Sequence, residues 1–86
     1  MPATIQDAMK RAIAERGMTP RQINEHDCFN FASIVFDLVP GSKIGGHNID
    51  GEGQSYIEYE GLCYDSECPQ GVTHWTKLPT FQRMLK

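Results

Sequence analysis

The chain has 86 residues, 40% of them apolar and 22% charged, with a formal charge of -3; this suffices for one domain spanning 1–86 with one modest core, and excludes disorder on composition. The basic residues Lys10, Arg11, Arg16, Arg21, Lys43, Lys77, Arg83 and Lys86 form no stripe able to track phosphates, which argues against direct nucleic-acid binding. No apolar run approaches the roughly 20 residues of a membrane span and the N-terminus lacks a signal-peptide layout, so a cytoplasmic protein without a membrane partner is expected.

Residues 4–16 place Ile5, Ala8, Met9, Ala12 and Ile13 at helical spacing, with charges opposite. Thr4 suits the N-cap, Asp7 the third helical position and Gly17 the stop. Thr19-Pro20-Arg21-Gln22 repeats the start signal as a capping box, and a short turn through Glu25 follows. Asp27 reads as the N-cap of a third helix, from Cys28 to about Val39, closed by Pro40-Gly41. Cys28, Phe31, Ala32, Val35, Leu38 and Val39 form its stripe, and Phe29, Ile34 and Phe36 widen it almost all round, which predicts a central, buried helix.

The glycine-rich stretch from Gly41 to Gly53 reads as a mobile or hairpin-like connection with a turn at Asp50-Gly51. Beyond it, Ser55–Tyr59 and Leu62–Asp65 predict an antiparallel hairpin turning at Glu60-Gly61. That turn sets Tyr59 against Leu62, Ile57 against Tyr64 and Tyr56 against Asp65. Ile57, Tyr59, Leu62 and Tyr64 then share the face that covers the helix, while Gln54, Tyr56, Glu58, Cys63 and Asp65 share the other. From Pro69 to Lys86 the sequence predicts a loop around Gln70-Gly71, then a short helix after Leu78-Pro79 anchored by Trp75, Phe81, Met84 and Leu85. The expected fold is α+β, with N-terminal helices, including a buried Cys-bearing one, packed on a small antiparallel sheet centred on the 55–65 hairpin.

Three cysteines, Cys28, Cys63 and Cys68, leave room for at most one bridge and suit free thiols in a reducing compartment. Cys63-x4-Cys68 with His74 lacks the tight pair and fourth ligand of a zinc site, and Asp50 and Glu52 lack the spacing of a calcium loop. No metal or cofactor is expected. Cys28 has two readings. A thiol at a helix N-terminus is biased toward thiolate and nucleophilicity, whereas a thiol on an apolar stripe simply packs.

Cys28-x-x-Phe31-Ala32 on a helix, then Tyr56-x-Glu58 on a strand and Tyr64-Asp65 on the next, resembles the core of the transglutaminase-like and papain-like cysteine hydrolases. The resemblance implies a nucleophile at Cys28, a base on the first strand in a His-x-Trp-x-Glu pattern, and an orienting Asp65. The position of the base falls on Gln54, which cannot act as one. His47, seven residues earlier, is the first substitute; His26 and His74 are others. Asp65, followed by Ser66, Glu67 and Pro69, also reads as the start of a turn. The run from Tyr64 to Val72 with Trp75 and Leu78-Pro79 is similar to small proteins of phages and mobile elements.

Two functions are therefore expected. One is a non-catalytic protein-binding module derived from the hydrolase fold, implied by the phage resemblance to inhibit a host defence complex of the CRISPR type. Its partner would meet Gln54, Tyr56, Glu58, Glu60, Asp50 and Glu52. The alternative is a small cysteine hydrolase or acyl transferase with Cys28 as nucleophile, His47 as base, Asp65 as orienter and Gln54 donating to an oxyanion.

Overall fold

The computed structural model describes residues 4–85; Lys86, which closes the expected tail, lies outside them. Helix α1 (Ile5–Arg16) starts where the Thr4 hydroxyl accepts from the Asp7 N–H at 3.0 Å and ends at Gly17, whose φ of 65° is left-handed. Helix α2 (Pro20–His26) opens on a reciprocal capping box. Thr19 Oγ1 accepts from the Gln22 N–H at 3.2 Å, and Gln22 Oε1 from the Thr19 N–H at 3.0 Å.

Helix α3 (Cys28–Leu38) follows after a single residue. Asp27 closes α2 with its N–H on Ile23 O at 2.8 Å and opens α3 with its carbonyl accepting from the Phe31 N–H at 3.1 Å. Its side chain does not cap α3, contrary to expectation. The carboxylate accepts instead from Asn30 Nδ2 at 2.7 Å and pairs with the Arg16 guanidinium. The Asn30 bond first and Arg16 second hold its pKa below the ordinary aspartate range. At φ -146° and ψ 22°, Asp27 serves as the bend between two helices.

Four strands, β1 (Lys43–Ile49), β2 (Glu52–Tyr59), β3 (Leu62–Asp65) and β4 (Cys68–Val72), form an antiparallel meander in that order. The glycine-rich stretch before the expected hairpin forms the first arm of another, β1–β2, in line with its hairpin-like reading and turning at Asp50-Gly51, whereas the expected loop around Gln70-Gly71 is a strand. Both sequences lack the apolar alternation that marks a strand, and only pairing with a neighbour makes them one. Asp50-Gly51 and Glu60-Gly61 turn the chain with positive φ at both residues, 51° and 84°, then 50° and 81°, as two-residue hairpin loops require. The predicted pairs Tyr59 with Leu62 and Ile57 with Tyr64 are present.

The predicted face division organises the packing. Ile57 and Tyr64, with Tyr59 and Leu62 beside them, meet α1 and α3 through Met9, Phe31, Ala32 and Val35. On the other face Tyr56, Cys63 and Cys68 are covered by Leu78 and Phe81, with Trp75 and Met84 packed alongside. These come from a 3-10 turn (Trp75–Lys77) and a short helix α4 (Pro79–Met84), the helix expected after Leu78-Pro79. The sheet therefore separates two apolar clusters where one core was expected, because the C-terminal segment folds back over its second face.

Helix α3 is less enclosed than its composition suggests. Phe31, Ala32 and Val35 are buried, but Phe29 is 60% and Phe36 46% exposed, and Cys28 is half-buried. The first of the two clusters engages only the Phe31, Ala32 and Val35 side of the helix. Leu85, an expected anchor of the tail, is 53% exposed as well.

Gly71 carries two constraints at once. Its φ is 78°, and a Cβ there would sit 2.6 Å from the Tyr64 ring. Gly71→Ala should cost about 2–3 kcal/mol, combining left-handed strain with overpacking, read as a lower urea midpoint. A loss under about 1 kcal/mol would mean that β4 can move off Tyr64 without consequence.

Candidate functional site

Cys28 is the first residue of α3 and opens into a cleft of about 680 Å³ where α2, the start of β2 and α4 meet. Asn24, His26, Gln54, Thr80 and Arg83 share its lining. The Cys28 sulfur accepts from the Ser55 N–H at 3.4 Å, the one hydrogen bond it makes among the described residues. That contact ties α3 to β2.

Gln54, which opens the buried part of β2, is itself buried. Its amide donates to Asn24 Oδ1 at 3.2 Å, and Asn24 in turn donates to Glu67 Oε1 at 2.8 Å. Glu67 receives Arg83 of α4 in a two-pronged contact, at 2.6 and 3.1 Å. The chain Gln54, Asn24, Glu67, Arg83 thus links β2, α2, the β3–β4 turn and α4. The Arg83 bond, ahead of the Asn24 bond, holds the Glu67 carboxyl below its ordinary range.

Asp65 is 1% exposed. Its Oδ1 accepts from the Glu67 N–H at 2.9 Å, so it does start a turn, while Oδ2 has no hydrogen-bond partner among the described residues. Burial pushes its pKa up to about 6, against the pull of the Glu67 N–H and of the nearby Asn24 amide. No imidazole is hydrogen-bonded to it among the described residues, so its oxygens orient a turn and not a base.

His47 is directly across from Gln54 in the β1–β2 ladder, on the face opposite α3. Its ring stacks on Trp75 at 3.8 Å with 17° between planes, and Phe81 meets it edge-on at 6.3 Å. The proposed trio Cys28, His47 and Asp65 shares no hydrogen bond among the described residues: alternation sets His47 on the face of Gln54 and Asp65, but its ring is stacked on Trp75. A shallow hollow at the β1 edge touches both Cys28 and His47, but the ring is held in the stack. His26 lines the same cleft as the thiol, and His74 accepts from the Thr76 N–H at 3.3 Å at the start of the 3-10 turn.

The expected partner residues divide. Tyr56 is buried under the C-terminal segment, which corrects its reading as an exposed contact, and Gln54 is buried against Asn24 of α2. Asp50, Glu52, Glu58 and Glu60 are exposed. Tyr56, Glu58 and Glu60 line one groove, and Gln54 and Glu52 line the cleft of Cys28. Asn24, Glu67 and Arg83 were not foreseen. An asparagine inside a seven-residue helix is a poor helix former, and that is the signal that could have marked Asn24.

Cys63 and Cys68 are buried free thiols, raised above their ordinary range mainly by burial. Among the described residues no group of three or more His, Cys, Asp and Glu side chains is placed to hold a metal ion, and no helix is long and apolar enough to cross a membrane. Comparison with protein-family models, with curated proteins and with solved structures finds no match for this chain.

Proposed function

We propose that the chain is a non-catalytic protein-binding module built on a cysteine-hydrolase-like core. The observation that supports this reading most is Gln54. At the position of the base stands a buried amide engaged with Asn24, while the nearest substitute in the sequence, His47, stacks on Trp75. A nucleophilic cysteine needs a base within hydrogen-bond reach and a third group to orient it, and Cys28 has as partner a backbone N–H. The partner class proposed is a host defence complex of the CRISPR type, on the sequence resemblance to phage proteins.

The test is Cys28→Ala. In cells carrying such a defence, wild type and variant should relieve interference equally. Loss of the effect in the variant would overturn the non-catalytic reading, and absence of the effect in both would remove the defence complex as partner. His26, which shares the cleft with the thiol, keeps the hydrolase alternative in view. If one equivalent of p-nitrophenol per chain is released from p-nitrophenyl acetate, and Cys28→Ala abolishes it, acyl transfer is the function.

A further inference from the structure

On the sheet face away from Cys28, a groove of about 580 Å³ runs from the β1–β2 ladder to the segment before the 3-10 turn. We propose that this groove receives an arginine side chain of the partner protein, an inference that deepens the binding-module reading and rests on it. Half-buried Trp75 lines the groove, with the His47 ring stacked on its indole at 3.8 Å, and Tyr56, whose ring is buried beneath, lines it too, as does Lys43. Glu58 and Glu60 bring two exposed carboxylates to the same groove.

Neither carboxylate has a cationic side chain within 4.0 Å among the described residues. Lys43 is directly across from Glu58 in the ladder, yet it is exposed and closes no ion pair there. The Tyr56 hydroxyl points its hydrogen at Glu58 Oε1, at 3.4 Å. Burial of the phenol, and then the Glu58 charge, push its pKa up to about 12, so it remains a donor at neutral pH.

Unpaired carboxylates beside aromatic rings match one side chain better than others. A guanidinium is planar, presents several N–H donors to carboxylate oxygens, and is weakly enough hydrated to lie against a ring. A lysine ammonium offers a compact, strongly hydrated charge, and a neutral side chain leaves both glutamates without a counter-charge.

Trp75 is the chain's single tryptophan, so its fluorescence reports on the groove directly. Titration with the peptide Gly-Gly-Arg-Gly-Gly should give a saturable change in Trp75 emission. The citrulline counterpart, of the same shape without the charge, and the double variant Glu58→Gln/Glu60→Gln should each bind at least fivefold more weakly. Both glutamates are exposed, so these substitutions leave the fold standing. An absent response, or one of equal strength with citrulline or with the double variant, overturns the inference. The binding-module reading fails on a different result, the Cys28→Ala experiment, so a groove that takes no guanidinium removes this inference alone.

Discussion

Asp65→Asn should make the protein more stable at pH 7, by as much as about 3 kcal/mol. The carboxyl is held at about 6 against an ordinary 3.8, and each unit corresponds to about 1.4 kcal/mol of preference for the neutral form. The folded state therefore binds this proton more tightly than the unfolded chain does. The resulting penalty is absent below the unfolded value, grows as pH rises from about 4 to 6, and is fully present above that. Asparagine keeps an oxygen for the Glu67 N–H and puts a donor where Oδ2 has no partner among the described residues.

Asp27 and Glu67 act in the opposite direction. Both are held below their ordinary values, by Asn30 and Arg16 in one case and chiefly by Arg83 in the other. They contribute stability above their unfolded values, 3.8 and 4.5, and that contribution is lost as pH falls through their folded ones. The wild type should thus gain stability on going from pH 7 toward about 4 and lose it below. Urea midpoints across this range should show the rise in the wild type and a flat line in Asp65→Asn. Destabilisation by the substitution at pH 7 would mean that the charge is held by the fold, and would return Asp65 to the orienting role of the hydrolase reading. A buried carboxylate that weakens its own fold is the kind of cost found at functional sites, and here it sits one hydrogen bond from the Gln54–Asn24–Glu67 chain.

Phe81→Ala should cost about 3–5 kcal/mol, a large share of the 5–15 kcal/mol that holds a small domain together. Phe81 is fully buried and meets Trp75 edge-on at 4.8 Å and Tyr56 at 5.9 Å. Helix α4 has six residues, too few to persist without packing. Its loss would release Arg83 from Glu67 and open both the cleft and the groove. The expected signature is unequal. Trp75 emission should move to the red and amide protection should fall in β3 and β4, while α1 and α3, on the other cluster, keep most of theirs. A loss near 1 kcal/mol, or one spread evenly over the chain, would show that the second cluster contributes little of its own.

Much of the architecture is legible in local chemistry. Thr4 and Gly17, Thr19 with Pro20 and Gln22, and the pairs Asp50-Gly51 and Glu60-Gly61 each act on backbone groups within a few residues, so their sequence meaning survives any tertiary arrangement. The face division of the 55–65 hairpin follows from a two-residue turn and a period of two, and it correctly separates Ile57 and Tyr64 from Tyr56 and Cys63. What lies over each face has no such local sign. The sequence around Gly45 and that around Gln70 become strands only because β2 and β3 offer free ladder groups, and the 75–84 segment becomes a third layer only because Tyr56, Cys63 and Cys68 leave an apolar face to cover.

The site divides along the same line. From sequence alone came a cysteine at a helix start, a glutamine at the start of a strand and an aspartate on the neighbouring strand, because a helix-start signal, a turn and an alternation assign those positions without knowledge of anything distant; that a base belongs at Gln54 is only what the hydrolase resemblance implies. Tertiary structure alone decided that Asn24 holds Gln54, that His47 stacks on Trp75, that Asp65 keeps a carboxylate oxygen without a partner among the described residues, and that Glu58 and Glu60 share a groove with Trp75. Asn24 and Gln54 are 30 positions apart and His47 and Trp75 are 28, and no local rule of backbone geometry reaches across such separations.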